Sequence, residues 1–448
     1  MKKKGYCIIL TIILLLGISL WGYLQYQEKQ SYKAGIYNHA HTLVKIDTYE
    51  ILKKAITNQP NTLDSVTIIK KIIKAVEIPT NIFIYNVEAK DKSTFFGSLK
   101  IKDYTFFENY TEPGLERKDI DSHTKLFMDK DHKWAIMYNQ TTAVFAYTYK
   151  EEKVIDIMLE IINNKNIIPV EESKFKDIIN KKGLVVFYDG KNEANLNLEG
   201  TKISGTIQIE TNKIKIPATI VSPDFNKENI LSFWLQADVK SFIPHKIFTI
   251  DKYQINTDSL LSSFQNEIQL EITKPVIQKE SIITYDFDDN FEKIEIVKTK
   301  ETLIPGLSLQ IKSKTNQLYQ YLDKQKIIIN NEEVNRKVFP LYQVYVGKSK
   351  EALVFSTQKK PKFAPQVPSN IIFYLKIDFD KMKKEKEYST LSKYIQKFQN
   401  LEMKARSSNN KITCDWQFNF SNNNEYPLET LIDFIKIVNN PKFENNKD

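Results

Sequence analysis

Between Tyr6 and Leu24 the chain is apolar or aromatic at every position except Thr11, Gly17, Ser19 and Gly22. As a helix rising about 1.5 Å per residue, this stretch would be roughly 28 Å long, close to the thickness of a bilayer core. Such a segment decides on which side of a membrane the remaining chain must fold. Lys2, Lys3 and Lys4 precede it, and Trp21, Tyr23 and Tyr26 follow where an interfacial aromatic belt would sit. The expectation is therefore an uncleaved anchor over residues 1–27 crossing the inner (cytoplasmic) membrane once, with its N-terminus cytoplasmic and the bulk of the chain extracytoplasmic, in the periplasm. The competing reading is a cleaved signal peptide, with Ile8 to Leu16 as its apolar region and Gly17-Ile18-Ser19 before the cut. The apolar run continues through Leu20, Trp21 and Leu24, which favours the anchor, and Cys7 precedes the run without a lipobox in front of it.

An exported body of this kind would have no covalent help. Cys7 and Cys414 are the only cysteines, and they would lie on different sides of the membrane or deep within it, so packing alone must hold the fold. Cys414, in ITCDWQF, reads as a small strand residue. The chain of 448 residues is 42% hydrophobic with 23 Tyr and 26 Phe, enough to build two or three cores and to exclude a mainly disordered protein. The net charge is +9, but Arg117, Arg336 and Arg406 are the only arginines, and arginine is the residue suited to bidentate phosphate contacts. That scarcity argues against nucleic acid as a partner.

A polar linker is expected over residues 28–33, followed by α+β domains over 34–222 and 223–448. Several patterns recur in the same order. VKIDTYEI (Val44 to Ile51), LQADVKSF (Leu235 to Phe242) and LKIDFDKM (Leu375 to Met382) each place an Asp where a strand would end and a helix would need a cap. WAIMYNQTTAVFAY resembles YQVYVGKSKEALVFST, each reading as a hairpin, VVFY resembles IIFY, and KISGTIQI resembles KITCDWQF. Two related domains of mainly antiparallel sheet with helices on one face follow, the second repeating the first, joined around SPDFNKEN (Ser222 to Asn229). Helices are expected over Val154 to Ile162, Met382 to Met403 and Pro427 to Val438.

Chemical motifs are scarce. TYDFDDNFEKIEI (Thr284 to Ile296) begins like a calcium loop, with Asp286, Asp288 and Asn290 at the first three odd positions. The sixth and twelfth positions, which need Gly and Glu, are Phe291 and Val297, so the segment reads as a hairpin turn with a bulge or a longer loop near Phe291. His39 and His41 could share a strand face but have no evident third ligand, and Asp129, Asp131 and His132 in MDKDHKW read as a turn. Glu171-Glu172 would need an opposed acid to support hydrolysis. With twelve glycines and no nucleotide loop, nucleophile elbow or metal helix, the sequence assigns no catalytic, cofactor-binding or metal residues, and a non-enzyme is expected.

The strand-to-helix entries VKID and LQAD, the YDFDDNFEKI hairpin, IIFYLKIDFDKM and the closing KITCDWQFNFSNNNEYPLETLIDFI carry a resemblance. On them the chain resembles a family of uncharacterised membrane-anchored extracytoplasmic envelope proteins of Gram-negative bacteria with a duplicated α+β domain. The resemblance implies an envelope location and that fold, and brings no site residues. The functional expectation is a non-catalytic binding or assembly subunit with envelope protein partners and no cofactor. The alternatives are a lipid- or glycan-binding carrier or sensor with a cleft between the domains, and a hydrolase with an unrecognised carboxylate site.

Overall fold

The computed structural model describes residues 22–57, 71–109, 115–211, 214–223, 225–238, 240–287, 291–361, 366–408 and 410–421, together with Pro427 and Thr430. The chain divides into two compact units, Met1–Asn197 and Leu198–Asp448. The segment expected as a domain joint, Ser222 to Asn229, falls inside the second unit.

In the first unit the alternation of buried and exposed positions produces one antiparallel sheet. Its order is Glu193–Glu199, Val185–Tyr188, Ala40–Asp47, Asn81–Val87, Thr94–Ile101, Thr142–Thr148, Trp134–Tyr138, Lys125–Asp129 and Leu115–Asp119. The core gathers Leu43, Phe83, Tyr85, Phe96, Met137 and Val144 from the strands. The helix Ile155–Ile162 adds Ile157, Met158, Ile161 and Ile162 at helical spacing. Gly97 lies opposite Phe145 in the ladder, and a Cβ there would collide with the Phe145 ring, so glycine lets the aromatic lie across the neighbouring strand. Ser31 and Tyr32, expected in a linker, are buried. Tyr32 belongs to the core, and Asn81 donates to the Ser31 hydroxyl at 2.9 Å.

The second unit is also built on antiparallel pairing. Its strands run Lys202–Glu210, Lys411–Phe420, Phe398–Ser408, Ile371–Asp378, Leu231–Gln236, Phe264–Phe287, Lys293–Ser313, Ala352–Ser356, Tyr345–Lys348, Glu333–Val334 and Ile328–Ile329. Two strands, of 24 and 21 residues, form a long hairpin. Its proximal part is flanked by Leu231–Gln236 on one side and Ala352–Ser356 on the other. Its distal part is a two-stranded arm on which Ile283, Tyr285 and Val297 are exposed. KISGTIQI and KITCDWQF, expected as equivalents in two domains, pair directly with each other, Ile207 facing Cys414.

Two expectations are corrected. The chain is mostly antiparallel sheet rather than α+β with helices on one face: helices such as Thr48–Thr57 and Thr315–Lys324 have ten residues. The helix expected over Met382 to Met403 illustrates why. Residues from Phe398 onward form a strand hydrogen-bonded along both edges, because the ladders to Ile371–Asp378 and Lys411–Phe420 outweigh local helix preference. Second, among the described residues no helix is long and apolar enough to cross a membrane, so the expected transmembrane signal-anchor and single-pass inner-membrane, periplasmic placement are not supported. Residues 1–21 of that expected segment lie outside the described residues, and the helix over 22–31 is polar after Leu24, with Tyr23 and Tyr26 exposed. Of the expected helix over Pro427 to Val438 only Pro427 and Thr430 are described, so its apolar stripe lies outside the described residues.

The recurrent aspartates have a structural role. Asp47 accepts from the Glu50 amide at 2.9 Å, Asp378 from the Lys381 amide at 2.9 Å, and Asp238 from the Lys240 amide at 3.2 Å. Each carboxylate satisfies an amide that the first helical turn leaves free. Asp47→Ala should therefore lower unfolding free energy by about 1 kcal/mol, with Asp47→Asn retaining most of it, as read by urea denaturation. An unchanged midpoint in the alanine variant would contradict the capping role.

Candidate functional site

The structure disperses the residues singled out in the sequence. Thr284 to Ile296 is the distal end of the long hairpin, with Tyr285 facing Glu295 and Phe287 facing Lys293, and the loop between these strands contains Phe291 at a φ of 64°. Residues 288–290 lie outside the described residues. His39 is exposed with its ring 5.8 Å from that of Tyr37, and His41 is exposed. His132, at a φ of 53°, turns the chain between two strands while the Asp129 carboxylate accepts from the Trp134 amide at 2.7 Å. Glu171 and Glu172 are exposed in a single 3-10 turn. Among the described residues no group of three or more His, Cys, Asp or Glu could hold a metal. Cys414 lies half-buried in its strand, and burial pushes its thiol pKa up, away from the thiolate a nucleophile needs.

Among the described residues three concave features stand out. The first unit has a polar pocket of about 480 Å³ lined by Glu28, Lys45, Asp47, Glu50 and Asn81 together with the segment from Ile179 to Leu184. Lys45 is the unusual group, with a side chain only 5% exposed. Its ammonium donates to the carbonyls of Ile178 at 3.2 Å and Lys181 at 2.6 Å. Burial lowers its pKa, and the nearby Glu28 and Asp47 carboxylates partly offset that effect. Lys45 is thus spent on pinning the chain around Lys181, and Asp47 on its helix cap.

The second unit has a cavity of about 500 Å³ whose fifteen lining residues are all Ile, Leu, Val or Phe. Its floor is the sheet: Ile268 from one strand, Leu307, Leu309 and Ile311 from the next, and Phe355 beyond. The period of two places Leu307, Leu309 and Ile311 on one face. Its cover is the helix pair Thr257–Ser263 and Thr315–Lys324. The first helix contributes Leu260 and Leu261, and the second contributes Leu318 and Leu322 one helical turn apart. Asn256 caps the first helix, its side chain accepting from the amides of Asp258 at 2.8 Å and Ser259 at 3.2 Å, and its own amide donates to the Tyr321 hydroxyl on the second at 2.8 Å. That link fixes the two helices at a set spacing above the sheet. Ile243, Leu260 and Leu261 are only half-buried, so the cavity is not sealed.

Phe264 also lines a second, polar pocket of about 630 Å³ formed with Gln265, Asn266, Lys312, Ser313, Lys314, Lys350 and Glu351. A bulge between Phe264 and Ile268, with Asn266 at a φ of 64°, opens the strand edge there. Sequence reading missed this constellation because alternating Leu and Ile followed by a Leu-rich helix is the ordinary signature of a filled core. The depth of the space depends on how far the two short helices stand from the sheet, which local pattern does not encode.

No family model matches the chain, and no curated protein matches it. Among solved structures it is similar to TP0453 in three crystal forms. Crystal form IV aligns over 39% of this chain and 78% of that one at 12% identity and a TM-score of 0.27. Crystal form III aligns over 75% and 93% at 7% identity and 0.25, and crystal form I over 73% and 90% at 8% identity and 0.23.

Lys45 makes stability depend on pH with a definite sign. Its folded pKa lies below the usual 10.5, so in the window just below 10.5 the unfolded chain binds more protons and stability rises with pH. Lys45→Met, which keeps the stem and removes the charge, should flatten that rise in urea midpoints measured across the window. Parallel curves for the two proteins would show that Lys45 is not desolvated.

Proposed function

We propose that the protein is a non-catalytic binding protein that takes up an apolar chain between the helix pair Thr257–Ser263 and Thr315–Lys324 and the sheet beneath. The observation that carries this reading is a cavity of about 500 Å³ with an entirely hydrocarbon lining. Ligand pockets generally fall between about 300 and 1,000 Å³ and are mostly apolar. An open apolar pocket of that size keeps its hydrocarbon wall against water when empty, and a core selected only for stability would cover that wall or fill the space with larger side chains. The binding site is thus assigned within the second unit rather than in a cleft between two domains. The scarcity of convergent titratable groups supports binding without turnover.

The test uses the neutral fluorophore N-phenyl-1-naphthylamine and the full-length protein. Saturable fluorescence enhancement is expected, together with its loss in Leu309→Trp, which places an indole in the cavity from a strand position that tolerates it. The thermal transition of that variant should stay cooperative. Enhancement that persists unchanged in Leu309→Trp would locate the binding elsewhere and sink the proposal. Independently, organic extraction of the purified protein should release long-chain molecules at about one per chain if the cavity fills in the cell.

A further inference from the structure

We infer that the ligand is an anionic amphiphile, its chain in the apolar cavity and its carboxylate or phosphate head in the pocket beside Ser313, Lys314 and Lys350. The inference rests on the cavity reading and adds the chemistry of the other end of the molecule.

The row of side chains along one strand carries the first argument. Leu309, Ile311 and Ser313 occupy alternate positions, so the apolar floor ends in a hydroxyl on the same face. Ser313 and Ser263 are each 1% exposed, and neither hydroxyl has a hydrogen-bond partner among the described residues. Buried hydroxyls are normally satisfied, and two orphans meeting at one place mark a site built for a group from outside the chain. Ser313 lines the polar pocket directly. Ser263 sits beside it, because the Lys314 amide donates to the Ser263 carbonyl at 2.8 Å and Phe264 faces Ser313 in the ladder.

Charge carries the second argument. Of the three lysines lining the pocket, Lys312 pairs with the buried Glu267 at 3.3 Å. Lys314 and Lys350 have no carboxylate partner among the described residues, and against them the pocket sets Glu351. The ten-residue helix Thr315–Lys324 starts at this point. Lys314 makes no side-chain cap there, and the first turn contains no acidic residue, so the positive end of the helix is uncompensated. Hydroxyl donors, two ammonium groups and a helix N-terminus all favour an anion, and Phe264 belongs to both the polar pocket and the hydrocarbon wall. An anion with an attached hydrocarbon chain satisfies both at once.

The experiment compares dodecanoate, dodecyl phosphate and dodecanol as competitors of N-phenyl-1-naphthylamine on the full-length protein, with inorganic phosphate as the chainless control. Both anionic ligands should displace the probe at concentrations about tenfold below dodecanol. Lys314→Gln combined with Lys350→Gln should erase that advantage while leaving dodecanol and the probe unaffected. Ser313→Ala should weaken the anions alone and raise the thermal midpoint of the unliganded protein, an effect that a merely structural serine would not combine with selective loss of affinity. Equal displacement by all three amphiphiles would overturn the head-group assignment while leaving the cavity reading intact. Failure of the probe itself to bind would overturn both. Binding of inorganic phosphate as tight as that of dodecyl phosphate would make the pocket an anion site independent of the chain and overturn the amphiphile.

Discussion

The second unit depends on the antiparallel ladder between Phe264–Phe287 and Lys293–Ser313. Where its edges are paired, over Ile268 to Ile272 on one side and Ser308 to Lys312 on the other, it lies in the interior of the sheet. Its pleat therefore cannot rotate without breaking hydrogen bonds along both flanks. That fixes which residues look toward the helices. A one-residue slip would turn Leu307, Leu309 and Ile311 away and bring Ser308, Gln310 and Lys312 into the cavity. The same ladder explains why the register breaks where it does: the irregularity between Phe264 and Ile268 lies at the end of the paired region, where an opened edge costs least and where the polar pocket forms.

Sequence reasoning reached what is local and periodic. The hairpins at Trp134–Tyr138 with Thr142–Thr148 and at Tyr345–Lys348 with Ala352–Ser356 were legible in WAIMYNQTTAVFAY and YQVYVGKSKEALVFST, and the capping role of Asp47 and Asp378 from an Asp placed between apolar strand and helical pattern. It failed where a segment satisfies two periods. Residues around Phe398 to Met403 carry apolar side chains that suit a helix stripe, yet the strands Ile371–Asp378 and Lys411–Phe420 supply backbone partners along both edges, and those partners lie outside the segment whose pattern is read. Tyr32 shows the same limit: in a polar run it reads as linker, and the core it enters is assembled from strands tens of residues away. The candidate site was illegible for a related reason. Its apolar residues were visible as core, but a cavity is a property of how far two layers stand apart.

The polar pockets of the two units differ in how their polar groups are used. In the first unit, Lys45 is buried and its ammonium donates to two carbonyl oxygens, so part of its desolvation is offset by hydrogen bonds within the fold. In the second unit, the Ser263 and Ser313 hydroxyls are buried and have no hydrogen-bond partner among the described residues. The first arrangement is self-sufficient, and burying a lysine there makes sense as a pin for the segment near Lys181. The second is the arrangement that the proposed head group would complete.

The sizes of the effects support that distinction. An unsatisfied buried polar group costs about 1–3 kcal/mol, against a net stability for a whole domain of about 5–15 kcal/mol. Two such hydroxyls beside a hydrocarbon void therefore weigh heavily on one unit, and alanine at either position would remove the cost without disturbing the strand or the helix start. Nothing in the ladder requires serine: Ser313 keeps its place through its backbone, whose amide donates to the Glu351 carbonyl at 2.8 Å. Retaining the hydroxyls is consistent with a fold stabilised in its loaded form, where a bound head group would satisfy them and the attached chain would fill the space between helices and sheet.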